Sequence, residues 1–551
     1  MTHDFVIIGS GFGGSVSAMR LTEKGYDVLV LERGRRFEDK DFPKTNWNIA
    51  KFLWLPVARC FGMLQFTLLN GVMAMHWSGV GGGSIGYANV MLEPSDKLFD
   101  NPAWNRMADW KLLLRPHFDT AKRMLGVTPN PNLTPADDTV RQIAEELGTD
   151  DTFAPTDVAV FFGEPGKTVP DPYFGGEGPD RAGCTACGGC MVGCRHNAKN
   201  TMLKNYLYFA EKWGAEVRAN AQVVDIVPLP GEQPDGARYE VVYKNPKDLV
   251  GKETRIRTRG VVVAAGALGT LKLLFHCRDV SGSLKDLSPR LGDRVRTNSE
   301  ALLGVTSYDR ETDYSRGVAI TSIVNVDPIT HLEPVRYPAK SGFIRMIAAP
   351  LVTMGEAGFL KRVLSTLLEG LRRPLDFLHA KVFANWAQRS TIMLVMRADD
   401  TQMRLRPGRN IFTFFQRGLV AHRDADQPVG GEMPIAHDIT RRFAEKTNGV
   451  PQAAFNETLF NIPTTAHILG GVPFGETAED GVIDLACEAH NYPGLFVVDG
   501  SIMPGNPGVN PTLTIVALAE YAMSRMPVRE GFTPSVHQHI PQPAAAETDH
   551  A

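Results

Sequence analysis

Two residues near the end of the chain, His467 and Asn510, are of the types that handle a proton at a hydroxyl group. A histidine titrates near neutral pH and can accept or relay a proton. An asparagine amide can donate a hydrogen bond to an oxygen and help to orient the carbon that bears it. A lone histidine is more often an ordinary core residue, but paired glycines follow this one at 470 and 471. The pair predicts a site where an alcohol loses its hydroxyl proton while hydride leaves the carbon.

The hydride needs an acceptor, and the first residues of the chain have the pattern of a dinucleotide-binding loop. An apolar run, Phe5 to Ile8, leads into Gly-Ser-Gly-Phe-Gly-Gly at 9–14, and a helix is predicted from Ser15 to Lys24. A strand, a glycine-rich turn and a helix in this order bring backbone N–H groups and the positive end of the helix to a pyrophosphate. The pattern fits FAD and NAD alike.

Four positions of this pattern have separate tasks. Gly9 permits the tight turn, Gly11 lets the backbone approach the pyrophosphate, and Gly14 lets the helix pack closely on the strand. A second predicted strand, Tyr26 to Leu31, ends in Glu32. An acid at this point suits a ribose hydroxyl group and would repel a 2′-phosphate. Together these residues predict a bound dinucleotide rather than a glycine-rich turn without a ligand.

Four cysteines form a second candidate site. Cys184, Cys187, Cys190 and Cys194 have the spacing C-x2-C-x2-C-x3-C, which resembles the ligand spacing of ferredoxins with a [4Fe–4S] cluster. Arg195 stands where those proteins carry proline, and zinc or a group of reduced thiols fits the same residues. We interpret them as ligands of a metal or an iron–sulfur cluster. A cluster would pass electrons singly to a protein or quinone acceptor, whereas direct reoxidation by oxygen is expected without one.

Size and composition are those of an ordinary globular protein. The chain has 551 residues, 43% hydrophobic and 22% charged, which predicts several domains or one large discontinuous domain. A net charge of −3 gives no indication of nucleic-acid binding. The first predicted strand begins by Asp4, which leaves no room for a secretory signal peptide, so a cytoplasmic protein with reduced cysteines is expected.

Two apolar stretches each have two interpretations. Trp47 to Met75 is too interrupted by polar residues to span a membrane, which leaves a core helix or a lid over an apolar substrate. Residues 359–371 carry apolar side chains at helical spacing, with lysine and arginine between and after them. Such a helix either buries its apolar face in its own protein or makes peripheral contact with a membrane surface. Disorder is predicted for the tail, 531–551, which is rich in proline and alanine.

Five motifs, in order, resemble those of the glucose–methanol–choline (GMC) family of flavin oxidoreductases. They are the loop at 9–14, Gly79-Val80-Gly81-Gly82-Gly83-Ser84, Ala265-Gly266-Ala267-Leu268, His467-Ile468-Leu469-Gly470-Gly471, and the run from Val498 to Pro504 with Asn510-Pro511. Within the family the likeness is to bacterial cholesterol oxidases, and around the cysteines also to long-chain alcohol oxidases. The resemblance touches both ends and spans most of the chain.

The resemblance implies an α/β fold, with a Rossmann-like FAD-binding domain and a discontinuous α+β substrate domain built on a mostly antiparallel sheet. The FAD-binding domain would comprise residues 1–45, 76–100, 200–300 and 460–530. The substrate domain and lid would comprise 46–75, 101–199 and 301–459, including the cysteine-rich loop 184–194.

The resemblance also implies FAD, not NAD, and distributes residues around it. Gly9, Gly11, Gly14 and Glu32 would hold the ADP half, and Val223, on a strand predicted from Glu216 to Val227, would meet the adenine. Gly81, Gly82, Gly83 and Ser84 would run beside the isoalloxazine and the pyrophosphate, and Asp499 and Gly500 would face the ribityl chain. Ile468 replaces the family's usual proline, and residues 87–89 do not reproduce the asparagine spacing of the relatives.

Catalytic roles and a substrate follow from the same resemblance. His467 and Asn510 match the catalytic pair of the family. Glu333 is similar in position to the carboxylate base with which cholesterol oxidases of this fold move a steroid double bond, although a surface salt bridge with Arg336 explains it equally well. The expected reaction is oxidation of a 3β-hydroxysteroid to the 3-ketosteroid, with Δ5 to Δ4 isomerisation as a second step. The alternatives are a long-chain or terpenoid alcohol oxidase, a flavin-containing lyase and a sterol carrier.

Overall fold

The computed structural model describes residues 2–248, 251–355, 357–383, 385–413, 415–423 and 431–533. The tail for which disorder is predicted lies outside these residues from position 534 onwards. Two large sheets organise the described part of the chain, and the candidate site lies between them.

The first of these, the mixed sheet, has the predicted first strand at its centre. Its strands lie in the order Glu216–Ala219, Val28–Glu32, Thr2–Ile8, Thr254–Val263, Tyr239–Lys244 and Gln222–Pro228, and Leu495–Val497 also pairs with Thr254–Val263. The pairings on both sides of Thr2–Ile8 are parallel. The apolar run from Phe5 to Ile8 suits this position because helices cover both faces of a parallel sheet.

The two ends of the chain meet on one face of the mixed sheet. The helix Phe12–Glu23 packs on the helix Thr512–Ser524. Across this contact Arg20 donates hydrogen bonds to both carboxylate oxygens of Glu520, at 2.7 and 2.9 Å. Since Asn510 lies two residues before Thr512–Ser524, the packing brings this asparagine to the same cavity as the glycine loop at 9–14.

The second large sheet, the antiparallel sheet, is built from the middle of the chain. Its strands lie in the order Ala348–Pro350, Gly449–Ala454, Ala301–Ser307, Ser390–Arg397, Thr330–Val335, Ser322–Asp327 and Ala154–Pro155, and each pairing is antiparallel. The helices Pro135–Leu147 and Pro434–Lys446 pack on it around an apolar core. Glu333 lies on one of its inner strands, opposite Leu394.

Shorter elements complete the described chain. The other α-helices are Ile49–Phe52, Asp96–Phe99, Trp110–Leu125, Tyr206–Lys212, Ala267–Asp279, Phe359–Arg372, Pro374–Leu378, Trp386–Arg389 and Phe455–Phe460. The other strands are Trp54–Leu55, Cys60–Phe61, Leu64–Leu69, Val72–Trp77, Thr128–Pro129, Asp157–Val158, Thr168–Val169, Arg181–Ala182, Val295–Arg296, Gln402–Gly408, Gly418–Arg423 and Thr464–Thr465.

The structure confirms the predicted fold class, with a Rossmann-like mixed sheet and a separate, mostly antiparallel sheet. Two local predictions are wrong. The stretch from Trp47 to Met75 is not a core helix, because Asn70-Gly71 forms a two-residue turn between the strands Leu64–Leu69 and Val72–Trp77. The strand predicted from Glu216 to Val227 is two strands, since Asn220 adopts a φ of 55° between them.

The amphipathic helix forms over Phe359–Arg372, but it does not bury its apolar face. Its leucines are exposed, and its buried residue is Arg362. The interpretation of this segment as an ordinary core helix is therefore wrong. In the part of the chain that the structure describes, no helix has the length and apolar character needed to cross a membrane.

Candidate active site

The two glycine loops, residues 9–14 and 79–84, lie in direct contact. Ser10 Oγ accepts a hydrogen bond from Gly81 N at 3.1 Å and donates one to Glu32 at 2.8 Å. A Cβ atom on Gly82 would lie only 2.4 Å from Gly11 Cα. The loops approach this closely because side chains are missing where they touch, so both loops face the same space.

The glycines of the first loop differ in what surrounds them. Gly9 has a φ of 97°, in the left-handed region that favours glycine. A Cβ on Gly14 would lie 2.0 Å from Gly9 O, so the helix rests directly on the turn. Gly11 is the exception, because the nearest atom to its Cβ would be Gly82 Cα at 3.9 Å. The protein therefore leaves open space beside Gly11, as expected where a ligand approaches the backbone.

This difference predicts that Gly11→Ala weakens FAD binding about tenfold or more while the cofactor-free protein folds normally. The added methyl has room in the protein but stands where the pyrophosphate is expected. Fluorescence titration of the apoprotein with FAD measures the affinity, and thermal unfolding of the apoprotein measures folding. Gly14→Ala is the contrasting variant, because its methyl overlaps Gly9 O and should lower the Tm of the apoprotein. Equal FAD affinities of Gly11→Ala and the natural protein would contradict the prediction.

A cavity of about 790 Å³ lies between the glycine loops and the antiparallel sheet. Its wall includes the predicted cofactor residues Gly9, Gly11, Glu32, Gly82, Gly83, Val223, Asp499 and Gly500, together with His467 and Asn510. The other predicted cofactor residues support the loops: Gly14 carries the helix, and Ser84 Oγ donates to Gly81 O at 2.7 Å and accepts from Met202 N at 3.0 Å. The structure thus brings residues from both ends of the chain to one cavity.

Asp499 ties two of the five motifs together. One carboxylate oxygen, Oδ2, accepts hydrogen bonds from Gly266 N at 2.9 Å and Thr270 Oγ1 at 2.5 Å. The other, Oδ1, accepts one from Ser501 N at 2.7 Å. Burial raises the pKa of Asp499, and these hydrogen bonds oppose the rise. The carboxylate therefore fixes the loop at 265–268 against the strand end at 498–500.

Asn89 is a wall residue that the motifs did not indicate. It is fully buried and adopts a φ of 61°. Neither Oδ1 nor Nδ2 of its side chain has a hydrogen-bond partner among the residues that the structure describes. A buried amide without a partner is costly, so a polar ligand in the cavity is the expected partner. The left-handed conformation and the unpaired amide are visible only in the structure, so the sequence carried no signal for this residue.

The ring of His467 is held by a carboxylate that sequence analysis missed. Glu300, whose side chain is fully buried, lies with Oε1 2.6 Å from His467 Nδ1. Glu300 also accepts hydrogen bonds from Thr465 Oγ1 and Ala466 N, each at 2.9 Å. Burial lowers the pKa of His467, whereas the charge and hydrogen bond of Glu300, together with the charge of Glu333, raise it, so the net pKa is raised. With Nδ1 bound to Glu300, Nε2 is left for proton exchange at the cavity.

Asn298 connects the histidine with the asparagine loop. Its Nδ2 donates to Val509 O at 2.7 Å and lies 3.4 Å from His467 Nδ1. Asn510 Oδ1 is buried and has no partner among the described residues. It is thus available to a ligand beside the histidine.

Glu333 lies behind Asn510 and not on the surface. Asn510 Nδ2 donates to Glu333 Oε2 at 3.4 Å, and His331 Nε2 lies 3.6 Å from Glu333 Oε1. The side chain of Glu333 is fully buried, whereas Arg336 donates to Thr321 Oγ1 at 2.9 Å. The interpretation of Glu333 as half of a surface salt bridge with Arg336 is therefore wrong, and His467, Asn510 and Glu333 form one cluster.

The four cysteines lie in a loop that packs against the antiparallel sheet. Cys184, Cys190 and Cys194 contact its apolar side chains, and Lys199 Nζ donates to Cys190 O at 2.8 Å. Burial raises the pKa of Cys184 to about 11 and that of Cys190 to about 12. Within the described ranges, no group of three or more histidine, cysteine, aspartate or glutamate side chains is arranged to hold a metal ion. The structure therefore gives no support to the predicted metal or iron–sulfur site at Cys184, Cys187, Cys190 and Cys194.

Comparison with known proteins agrees with this arrangement. Family models described as GMC oxidoreductase match residues 178–282 and 387–519, and one described as an NAD(P)-binding Rossmann-like domain matches residues 7–37. A cholesterol oxidase of Acinetobacter baumannii is 44% identical over 96% of this chain and 95% of its own length. A cholesterol oxidase of Mycobacterium tuberculosis is 43% identical over 95% of this chain and 91% of its own length.

More distant proteins share the same extent of chain. A long-chain-alcohol oxidase of Arabidopsis thaliana is 24% identical over 95% of this chain and 67% of its own length. Among solved structures, pyridoxine 4-oxidase from Mesorbium loti superposes with a TM-score of 0.58 at 16% identity, over 95% of this chain and 99% of that one. This structural likeness shows the shared fold.

Proposed function

Because the chain belongs to the GMC oxidoreductase family, we propose that it oxidises the 3β-hydroxyl group of a cholesterol-like sterol to the ketone. The chain is an FAD-dependent alcohol oxidoreductase. The observation that carries the proposal is that His467 and Asn510, from two separate segments, both lie on the wall of the cavity that the glycine loops line, with the buried carboxylate of Glu333 directly behind Asn510. The cholesterol oxidases to which the chain is similar support a sterol as the substrate class.

Two features of the cavity fit FAD. The space beside Gly11 is open to a pyrophosphate, and the amide of Asn89 lacks a partner within the described chain, as a residue beside a polar ring would. We assign the cofactor to Gly9, Gly11, Gly14, Glu32, Gly81, Gly82, Gly83, Ser84, Val223, Asp499 and Gly500, in the FAD-binding domain at 1–45, 76–100, 200–300 and 460–530. When bound, FAD supplies the hydride acceptor for the carbon of the alcohol.

The protein's own residues handle the proton and the position of the substrate. His467 Nε2 accepts the hydroxyl proton, and Glu300 stabilises the resulting positive charge on the ring from the other side. Asn510 orients the oxygen and the carbon through its side-chain amide. Glu333, 3.4 Å behind that amide, then moves a proton of the ketosteroid to shift its double bond.

The wall near Glu333 suits an apolar substrate. It is formed by the side chains of Leu302, Ile320, Val335, Tyr337 and Leu394, most of them on strands of the antiparallel sheet. Such a wall excludes water from the reacting carbon and favours a sterol over a small polar alcohol. A long-chain alcohol would also fit against these apolar side chains, so it is the alternative substrate.

Anaerobic mixing of the holoenzyme with cholesterol or with hexadecanol tests the proposal. We expect cholesterol to bleach the flavin absorbance faster and steady-state turnover to favour it. A preference for hexadecanol would mean that the substrate is a linear alcohol and not a sterol. Absence of bleaching with either would favour a lyase or a sterol carrier, because neither of these involves net redox chemistry.

Glu333→Gln separates the two proposed steps. Oxidation should change by about twofold or less, while isomerisation should fall at least about tenfold, because the amide cannot carry the proton. Chromatography of the products, with the ultraviolet absorbance of the conjugated enone, measures the two ketosteroids. We expect the Δ5 ketone to accumulate. If the variant still forms the Δ4 ketone at the natural rate, Glu333 is not the base.

We propose oxygen as the electron acceptor, because the similar enzymes are oxidases by name. One hydrogen peroxide should then form for each ketosteroid in air-saturated buffer. Turnover that needs an added quinone or redox protein, without peroxide, would favour the alternative acceptors.

A further inference from the structure

The helix Phe359–Arg372 exposes its apolar side chains and buries a charged one, which is the reverse of a core helix. Leu360 is 81% exposed and Leu371 is 76% exposed, and Leu364 and Leu367 are exposed as well. Arg362, in contrast, is 1% exposed and donates hydrogen bonds to backbone carbonyls, among them Ala357 O at 2.9 Å. Burying an arginine while leaving leucines in water is unfavourable unless something else covers the leucines.

The exposed apolar surface continues beyond this helix. The next helix, Pro374–Leu378, exposes Leu375 by 75% and also exposes Phe377. Lys381, three residues after this helix, donates a hydrogen bond to Arg345 O at 2.6 Å. Met346, the neighbour of Arg345 in the chain, is 64% exposed. The surface thus extends from the helix towards the segment 343–347.

From that segment the apolar surface leads to the wall of the cavity. Phe343 packs edge-on against Trp47, with ring centroids 6.5 Å apart, and Trp47 is 43% exposed. Phe343 also belongs to the same apolar cluster as Tyr337, which lines the cavity. The surface is therefore connected to the cavity wall through the packing of Phe343 and Tyr337 in this cluster.

The charges around the helix favour an anionic partner. Lys361, Arg372 and Arg373 are exposed along it or at its end. The acids of this stretch are paired within the protein: Glu369 lies 3.3 Å from Arg373, and Asp376 accepts a hydrogen bond from the Tyr308 hydroxyl at 2.6 Å. Because Arg373 is paired with Glu369, Lys361 and Arg372 are the basic residues left to face a partner. Apolar side chains with a basic fringe are the pattern of helices that lie in the interface of anionic lipid membranes.

We propose that Phe359–Leu378 docks the enzyme on an anionic lipid surface, with the leucines among the lipid chains and the basic residues at the headgroups. A helix of 14 residues is too short to span the bilayer, so it lies in the plane of the interface. The proposal rests on the proposed function in one respect: a sterol dissolved in the membrane would enter the cavity beside the docked surface.

Cosedimentation of the holoenzyme with sterol-free vesicles tests the docking independently of catalysis. We expect binding to vesicles of phosphatidylcholine with phosphatidylglycerol, and weaker binding to phosphatidylcholine alone. The triple variant Leu364→Ser, Leu367→Ser, Leu371→Ser should bind at least about tenfold more weakly. Leu112→Ser, at an exposed leucine of another helix, is the matched control and should bind like the natural protein.

Two further measurements make the result decisive. Turnover of cholesterol delivered in detergent micelles should stay within about twofold in the triple variant, which shows that its fold and site are intact. Light scattering should show the same oligomeric state for both proteins. The proposal is overturned if the natural protein does not bind vesicles, or if the triple variant binds them equally well. It is also overturned if the natural protein is a dimer and the triple variant is not, because the leucines would then form a dimer contact. Vesicle binding without sterol turnover would leave the docking standing and overturn the proposed function instead.

Discussion

Replacing His467 by glutamine is expected to slow flavin reduction by the alcohol about 10³–10⁴-fold. The imidazole lies on the cavity wall with Asn510 and can accept the hydroxyl proton, and glutamine keeps polarity and approximate size without that capacity. Rapid mixing under anaerobic conditions measures the rate of flavin bleaching. Because the glycine loops are untouched, FAD content and affinity should be unchanged.

The control for this experiment is another histidine. His422 is exposed on the strand Gly418–Arg423, and His422→Gln should reduce the flavin at the natural rate. If His467→Gln also retained the natural rate, proton removal would belong to a different group. If the variant loses FAD as well as activity, the cofactor site is damaged. Expressing the rate per FAD-containing protein molecule distinguishes this outcome from a loss of proton transfer.

The sequence predicted those parts of the site whose residues are locally constrained. Gly9 must adopt a positive φ and Gly14 must touch a carbonyl, and both demands exclude other residue types. Asp499 is bounded by a buried strand and a glycine, so it also leaves a local pattern. Each of these residues can be read from its neighbours along the chain.

Glu300 left no such pattern, although it holds the ring of His467. It lies 167 residues from His467 along the chain, and the two meet because of backbone pairing elsewhere. Arg296 and Leu469 exchange backbone hydrogen bonds at 2.7 and 3.0 Å, which brings the two segments side by side. A single carboxylate is common on surfaces, so its role becomes visible only when this long-range pairing is known.

The amphipathic helix shows a second limit of sequence reasoning. The spacing of the leucines predicts one apolar face, and this face exists. It does not determine which face the protein covers, because that depends on what lies opposite. Here the carbonyls at 355 and 357 and the carboxylate of Glu432, 3.6 Å away, attract Arg362 inward.

Glu300→Gln is expected to lower kcat about a hundredfold and to move the acidic limb of the pH–rate profile to lower pH. The histidine acts as a base when it is neutral, so activity rises with pH through its pKa. In the natural protein burial lowers this pKa, but the charge and hydrogen bond of Glu300 and the smaller contribution of Glu333 together raise it, and the net pKa is raised. Without the charge of Glu300, burial prevails, the pKa falls, and the ring is neutral at lower pH.

The loss of kcat has a separate cause from the shift of the profile. Glu300 Oε1 accepts from Nδ1, which keeps Nε2 free, whereas a glutamine can present either N–H or C=O to the ring and loses the charge that stabilises its protonated form. Profiles of kcat/KM against pH for Glu300→Gln and Glu333→Gln compare the two carboxylates. The shift should be larger for Glu300→Gln, because Glu300 touches the ring and makes the larger contribution to its pKa. An acidic limb that stays in place in Glu300→Gln would mean that it reports a group other than His467.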